Sequence, residues 1–214
     1  MPDNTIMKFT LGTKKNMSQI FTEQGNVCPV TVLEIGDVVV TQVKTKEVDG
    51  YNAVQVGFGD RNAKNISKAV KGHTKDLGNF MFLKEFRLEG NDSTLSAMKV
   101  GDKVDHNLFV NGDTVTVTAV SKGKGFQGVI KRNGFKGGPR SHGQKHCENA
   151  PGSISGGTRN GGRVPKGMRM GGRMGSDRIT IKNLKVIGID VEGKELLIGG
   201  AIPGRRGTLV EIKG

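Results

Sequence analysis

His142, His146, Cys147 and Glu148 form the densest run of side chains able to do chemistry in this chain. Cys147, His146 and Glu148 are the residue types of a nucleophile, a base and an orienting carboxylate. Adjacency in sequence does not create the geometry that chemistry needs, and the run lies in the most irregular stretch of the chain. With Cys28 added, the two histidines and Cys147 would make four zinc-type ligands. His142 and His146 are spaced H-x₃-H, yet the set lacks a C-x-x-C pair or an H-x₃-H…C pattern closing on itself, so neither metal nor cofactor is expected. Lys122-Gly123-Lys124-Gly125 faintly resembles a phosphate loop. That loop needs Gly-Lys followed by Ser or Thr, after a strand and before a helix; no Gly-Lys here is followed by Ser or Thr, and no helix is expected to follow. Glu85 and Glu89 suit a solvated edge better than an acid–base pair. The chain is expected not to be an enzyme and to have no small-molecule substrate.

The charge explains more. The 214 residues hold 33 Lys and Arg against 20 Asp and Glu, a net charge of +13. A balance this basic points to a polyanionic partner, nucleic acid or an anionic membrane surface. No apolar run approaches the ~20 residues of a spanning helix, so no membrane is expected. Met1 to Asn16 are polar and strand-like without an apolar signal-peptide core, and the chain is expected to stay in the cytoplasm. Two distant cysteines fit a reducing compartment. From Ser121 to Arg178 there are 13 basic residues and two acidic ones, Glu148 and Asp177, and 16 of the 34 glycines. Nearly the whole charge excess lies there. Such a stretch cannot bury a dense core, so a partner must supply what packing would otherwise provide.

The flanks must position that segment, and they read as strands. Val27 to Gln42 is rich in β-branched residues and broken at Gly36-Asp37. Tyr51 to Gly57 and the DTVTVTAV stretch within Val104 to Val120 alternate apolar and polar residues. Ile179 to Val186, Glu195 to Ile198 and Thr208 to Ile212 follow, each bounded by Gly, Asp or Pro. Short strands at this spacing predict a mainly β fold with little helix: a small antiparallel barrel or sandwich with one helix near Asn65 to Asp76. The predicted organisation is a discontinuous β domain, 1–120 and 179–214. A long irregular basic extension, 121–178, is inserted between its strands. A loop of that length inside a compact domain is functional or disordered. A disordered basic tract is the plain alternative, and its internal position between strands counts against a tail.

The residue types suit RNA. Lys122, Lys124, Lys131, Arg132, Lys136, Arg140, Lys145, Arg159, Arg163, Lys166, Arg169, Arg173 and Arg178 recur every few residues. Each can neutralise a phosphate and release counterions. His142 joins them as an RNA-facing side chain. Glycine lets the backbone approach phosphates and sugars, and guanidinium planes bridge phosphates or stack on unpaired bases. Phe126 and Phe135 either stack on bases or pack at the root of the extension. Met168, Met170 and Met174 either form a small apolar seam or fill gaps against a partner. A reader of double-stranded DNA would offer a regular helix or ribbon, which the glycines disfavour.

Several stretches in order resemble the bacterial type of large-subunit ribosomal protein three, a universal ribosomal protein family, over essentially the whole chain. They are GTKKNMSQIFTEQGNVCPVTVLE at Gly12 to Glu34, VTQVK at Val40 to Lys44 and DGYNAVQVGFG at Asp49 to Gly59. KGHTKDLG at Lys71 to Gly78 and EFRL at Glu85 to Leu88 follow. The most specific is SKGKGFQGVIKRNGF at Ser121 to Phe135. After it come RSHG at Arg140 to Gly143, PGSI at Pro151 to Ile154, GGRMGSDRITIKNL at Gly171 to Leu184 and GAIPGRRGTLVEIK at Gly200 to Lys213. The resemblance implies a barrel on the outside of the large ribosomal subunit, bound to its RNA and beside other large-subunit proteins. It also implies a role early in subunit assembly and an extension reaching towards the peptidyl transferase centre. Lys122 to Arg132 would form the root of that extension. Pro151 to Arg163 would form its tip, with Pro151, Gly152, Ser153, Ile154, Ser155 and Arg159 nearest the centre. The chain departs from its family where some relatives carry a methylated glutamine. Here Ile154 is followed by SGGTRNGGR, and that modification is not carried over. Pro165 precedes Lys166-Gly167 where the family often has Phe or Tyr.

Overall fold

A computed structural model of the chain describes residues 8–22, 24–88, 98–104, 108–154, 161–190 and 193–214. Glu89, Ser155 and Arg159 lie outside the described residues. The strands are β1 (Phe9–Phe21), β2 (Val27–Ile35), β3 (Val38–Lys44), β4 (Ala53–Asp60), β5 (Phe80–Arg87), β6 (Lys103–Val104), β7 (Thr114–Val120), β8 (Phe126–Gln127), β9 (Gly172–Arg173), β10 (Arg178–Asp190), β11 (Glu195–Gly199) and β12 (Leu209–Lys213). Among the described residues three short helices join them: α1 (Lys46–Asp49), α2 (Lys68–Thr74) and α3 (Val129–Asn133). The chain divides into two compact units, Met1–Val120 with Ile179–Gly214, and Ser121–Arg178.

The fold is mainly β, as the alternation predicts. Six strands close a barrel in the order β1-β12-β7-β10-β11-β2, with β1 and β2 paired antiparallel to complete the ring. Closure removes the exposed edges an open sheet would carry. Alternate residues point inward: Val115, Val117 and Ala119 of β7, Leu196 and Ile198 of β11, and Val210 and Ile212 of β12 share one core with Leu33, Ile35 and Val186.

The sequence predicts a barrel or sandwich in this unit, and among the described residues it holds a barrel and a second, four-stranded sheet. Gly36-Asp37 is where the chain leaves the barrel for a four-stranded sheet of order β5-β4-β3-β6. A Cβ at Gly36 would lie 2.9 Å from the Phe58 ring, so the crossing point has room only for hydrogen. The second sheet has its own core of Val38, Val40, Val54, Val56, Phe58 and Phe86, which also takes in Phe9 and Leu11 from barrel strand β1. The Phe9 and Phe86 rings stack with centroids 4.5 Å apart. Strand β5 was not legible as a strand, because FMFLKEFR opens with four consecutive apolar residues and shows no alternation. Its Phe80 ring covers Gly57 on the neighbouring strand, where any Cβ would collide.

The helix predicted for Asn65 to Asp76 is shorter. It begins after Ser67, whose hydroxyl accepts from the Val70 N–H, and ends at Thr74 because Lys75 takes a positive φ. Single 3₁₀ turns, Ala63–Asn65 and Lys75–Leu77, flank it.

Candidate nucleic-acid interface

Within Ser121–Arg178 the two arms at the base run antiparallel. The Ser121 N–H donates to the Asp177 carbonyl (2.9 Å), Lys124 N–H to Met174 O (2.9 Å) and Met174 N–H to Gly125 O (3.0 Å). Strands β8 and β9 extend the pairing, with Phe126 opposite Arg173 and Gln127 opposite Gly172. Gly175 makes this possible. Its φ is +77°, and a side chain there would strike the Lys122 carbonyl.

Helix α3 follows the ribbon and stops at Gly134, which adopts φ +73° and donates its N–H to Ile130 O. This segment is more ordered at its base than the expected irregular extension. Glycine-rich composition forbids a long helix, yet VIKRN between Gly128 and Gly134 suffices for one turn. Arg132 Nη1 donates to the Met170 carbonyl at 2.9 Å, and Asn133 Nδ2 donates to the same oxygen at 3.1 Å. The helix is thereby tied to the returning arm.

Beyond it, residues 137–148 form a loop closed by Gly138 N–H to Glu148 O (3.1 Å) and by an Arg140–Glu148 ion pair (2.8 Å). His142 and Gly143, at φ +58° and +75°, occupy the turn between Ser141 and Gln144. Two consecutive positive φ values are the mark of a type I′ turn. His142, His146 and Cys147 are exposed on this loop. Among the described residues no three His, Cys, Asp or Glu side chains converge as a metal ion would require.

The predicted cations Lys122, Lys124, Lys131, Arg132, Lys136, Arg140, Lys145, Arg163, Lys166, Arg169, Arg173 and Arg178 are all exposed, as is His142. They are spread over both arms, the helix and the loop, not gathered at one point. Arg140 has part of its charge met by Glu148, and Arg132 has one nitrogen engaged with backbone. Phe126 is 76% exposed while Phe135 is half-buried, which separates two rings the sequence left undecided. Met168 is exposed, and Met170 and Met174 are half-buried. Pro151, Gly152 and Ser153 are exposed and Ile154 is half-buried. Sequence reasoning missed the residues that hold the cations in place: Asn133, Asn149, whose side chain lies against Gly128, and Gly175. Paired glycines and asparagines near the two arms were the available signal.

The described residues form a barrel unit interrupted in sequence by a cationic, glycine-rich unit. Comparison with known proteins gives the family. A family model described as Ribosomal protein L3 matches residues 92–201. The chain is 48% identical over 202 residues to the large ribosomal subunit protein uL3 of Herpetosiphon aurantiacus, covering 94% of this chain and 93% of that one. It is 46% identical over 203 residues to the large ribosomal subunit protein uL3 of Dehalococcoides mccartyi, covering 95% and 96%. The chain belongs to the ribosomal protein L3 family. It is a ribosomal protein and not an enzyme.

Proposed function

We propose that this protein is a structural component of the cytoplasmic large ribosomal subunit, where the unit Ser121–Arg178 binds large-subunit ribosomal RNA. The observation that carries this reading is the exposure of every described Lys and Arg in that unit, whose root is fixed by backbone bonds between its two arms. Exposed cations held by a hydrogen-bonded ribbon present charge to phosphates without first paying to order the root. The relatives' name, large ribosomal subunit protein, supports the same partner and the company of neighbouring large-subunit proteins.

The finer reading follows from the family likeness. The tip around Pro151 to Arg163 reaches towards the peptidyl transferase centre, and the protein acts early in assembly by holding RNA segments together. Replacing residues 153–162 by a short Gly-Ser linker tests this. Barrel-dependent incorporation into subunits is expected to persist, since most basic residues lie outside the tip. RNA chemical probing and drug sensitivity at the centre are expected to change. Full incorporation with unchanged probing and drug response would detach the tip from the centre.

A further inference from the structure

The basic unit carries one carboxylate that a surface shaped for phosphates would be expected to lack. Glu148 is the only acid between Asp113 and Asp177 in the sequence. It ends the 137–148 loop, which also holds Arg140, Lys145 and two histidines. A carboxylate there opposes the approach of phosphates.

The main chain fixes where Glu148 sits. The Gly138 N–H donates to its carbonyl oxygen at 3.1 Å. Gly137 adopts φ +74°, and a Cβ there would collide with the same oxygen. At Gly138 a Cβ would lie 2.7 Å from the Cys147 carbonyl oxygen. The two glycines therefore let the entering backbone pass flush against Cys147 and Glu148. The next residue, Asn149, fills the notch that Gly128 leaves, and its Oδ1 accepts from the Ile130 N–H of α3 at 3.4 Å. These contacts close the neck of the loop without the Glu148 carboxylate.

The carboxylate instead reaches Arg140, with Oε1 2.8 Å from Nε. Nε is part of the planar donor fork with which a guanidinium grips a phosphate through two bonds. A phosphate that takes the edge containing Nε must displace Glu148. Both side chains are well exposed, at 80% for Arg140 and 57% for Glu148. Exposed pairs contribute little to stability, so the pair is ill suited to hold the loop together and well suited to yield to a polyanion.

We infer that Glu148 is an internal competitor for RNA: its carboxylate occupies the phosphate-gripping edge of Arg140 and leaves it when a phosphate takes that place. The inference rests on the reading of Ser121–Arg178 as an RNA-binding unit. It adds a built-in restraint on the affinity of that unit, set by one residue pair.

The test is a double-mutant cycle on the full chain, read as affinity for deproteinised large-subunit ribosomal RNA over a salt series. The unsubstituted chain tests the parent reading. Without salt-sensitive binding both claims fall, whereas strong binding with a failed cycle removes the inference alone. Glu148→Gln is expected to tighten binding by roughly two- to fivefold, the worth of an exposed ion pair that no longer has to be broken. In an Arg140→Gln background the same substitution should give no comparable gain. Asp177→Asn removes the other acid of the unit, and its effect should be the same with and without Arg140. An equal gain from Glu148→Gln in both backgrounds would reduce Glu148 to a general repulsion and overturns the inference. Unchanged or weakened binding in Glu148→Gln overturns it as well, since the pair would then persist in the complex.

Discussion

Arg132 Nη1 donates to the Met170 carbonyl oxygen at 2.9 Å, so a predicted RNA contact also fastens helix α3 to the returning arm. Its neighbour Lys131 is exposed and makes no such bond among the described residues. The two residues, adjacent and of like charge, should therefore respond differently. Lys131→Ala is expected to lower the salt slope of RNA binding by about one and leave the free protein unchanged. Arg132→Ala is expected to do the same and also to speed hydrogen exchange at Lys124 and Met174, whose amides close the base of the ribbon. Equal exchange in both variants would show that the bond to Met170 has no structural role.

The barrel unit makes its own predictions. Phe86 is 1% exposed and stacked on Phe9, so Phe86→Ala should cost about 3–5 kcal/mol through lost transfer and a cavity. Thr10, on β1, is buried, and its hydroxyl has no hydrogen-bond partner among the described residues. Thr10→Val keeps the shape and removes that polar atom, and is expected to stabilise by about 1 kcal/mol. Urea midpoints for the two variants should move in opposite directions.

Acid should weaken the fold in a defined window. The hydrogen bond from Lys44 holds the Glu85 carboxyl below the usual range, and bonds from Tyr51 and Gln55 add to this against the cost of burial. The hydrogen bond from Lys8, with the Val110 N–H, does the same for Asp113. A carboxylate with a lowered pKa stabilises the fold above its unfolded value of ~4 and loses that contribution as pH falls through the folded value. Stability should thus be flat near neutrality and decline below about pH 4. In Glu85→Gln that decline should be shallower, as thermal unfolding across pH would show. An identical acid profile would mean that the Lys44–Glu85 pair carries no linkage.

Much of this was legible from local patterns. Alternation in DTVTVTAV marks β7, β-rich composition from Thr208 to Ile212 marks β12, and the Gly36-Asp37 break marks the passage from β2 to β3. What alternation could not convey is which sheet each strand joins. β2 and β3 are consecutive, yet one closes the barrel and the other opens the second sheet, because Phe58 packs against Gly36 and Phe9 reaches across to Phe86. Strand β5 stayed hidden because Phe80 to Leu83 is uniformly apolar. At the candidate site, charge density located the cations, and the ribbon that fixes them depends on backbone bonds such as Ser121 to Asp177. Those leave little trace in composition.

Order within the basic unit should be graded. Residues 121–127 and 172–177 share backbone bonds, whereas the described residues of 136–170 combine glycine and charge with no buried side chain. Such a stretch cannot offset its own ordering entropy. Hydrogen exchange on the free protein is expected to be slow at Lys124 and Met174 and fast across 136–170, slowing there once RNA is bound. Slow exchange throughout 136–170 without RNA would contradict this.

The central claim is that the unit Ser121–Arg178 supplies most of the grip on ribosomal RNA while the rest of the chain folds without it. Ser121 and Asp177 are hydrogen-bonded, so a short Gly-Ser linker can replace residues 122–176 at small closure cost. The decisive measurement is the affinity of that shortened chain for deproteinised large-subunit ribosomal RNA across a salt series, together with its thermal unfolding. The account predicts a cooperative unfolding transition, with affinity and salt slope both sharply reduced. Unchanged affinity and slope in a folded shortened chain would contradict it.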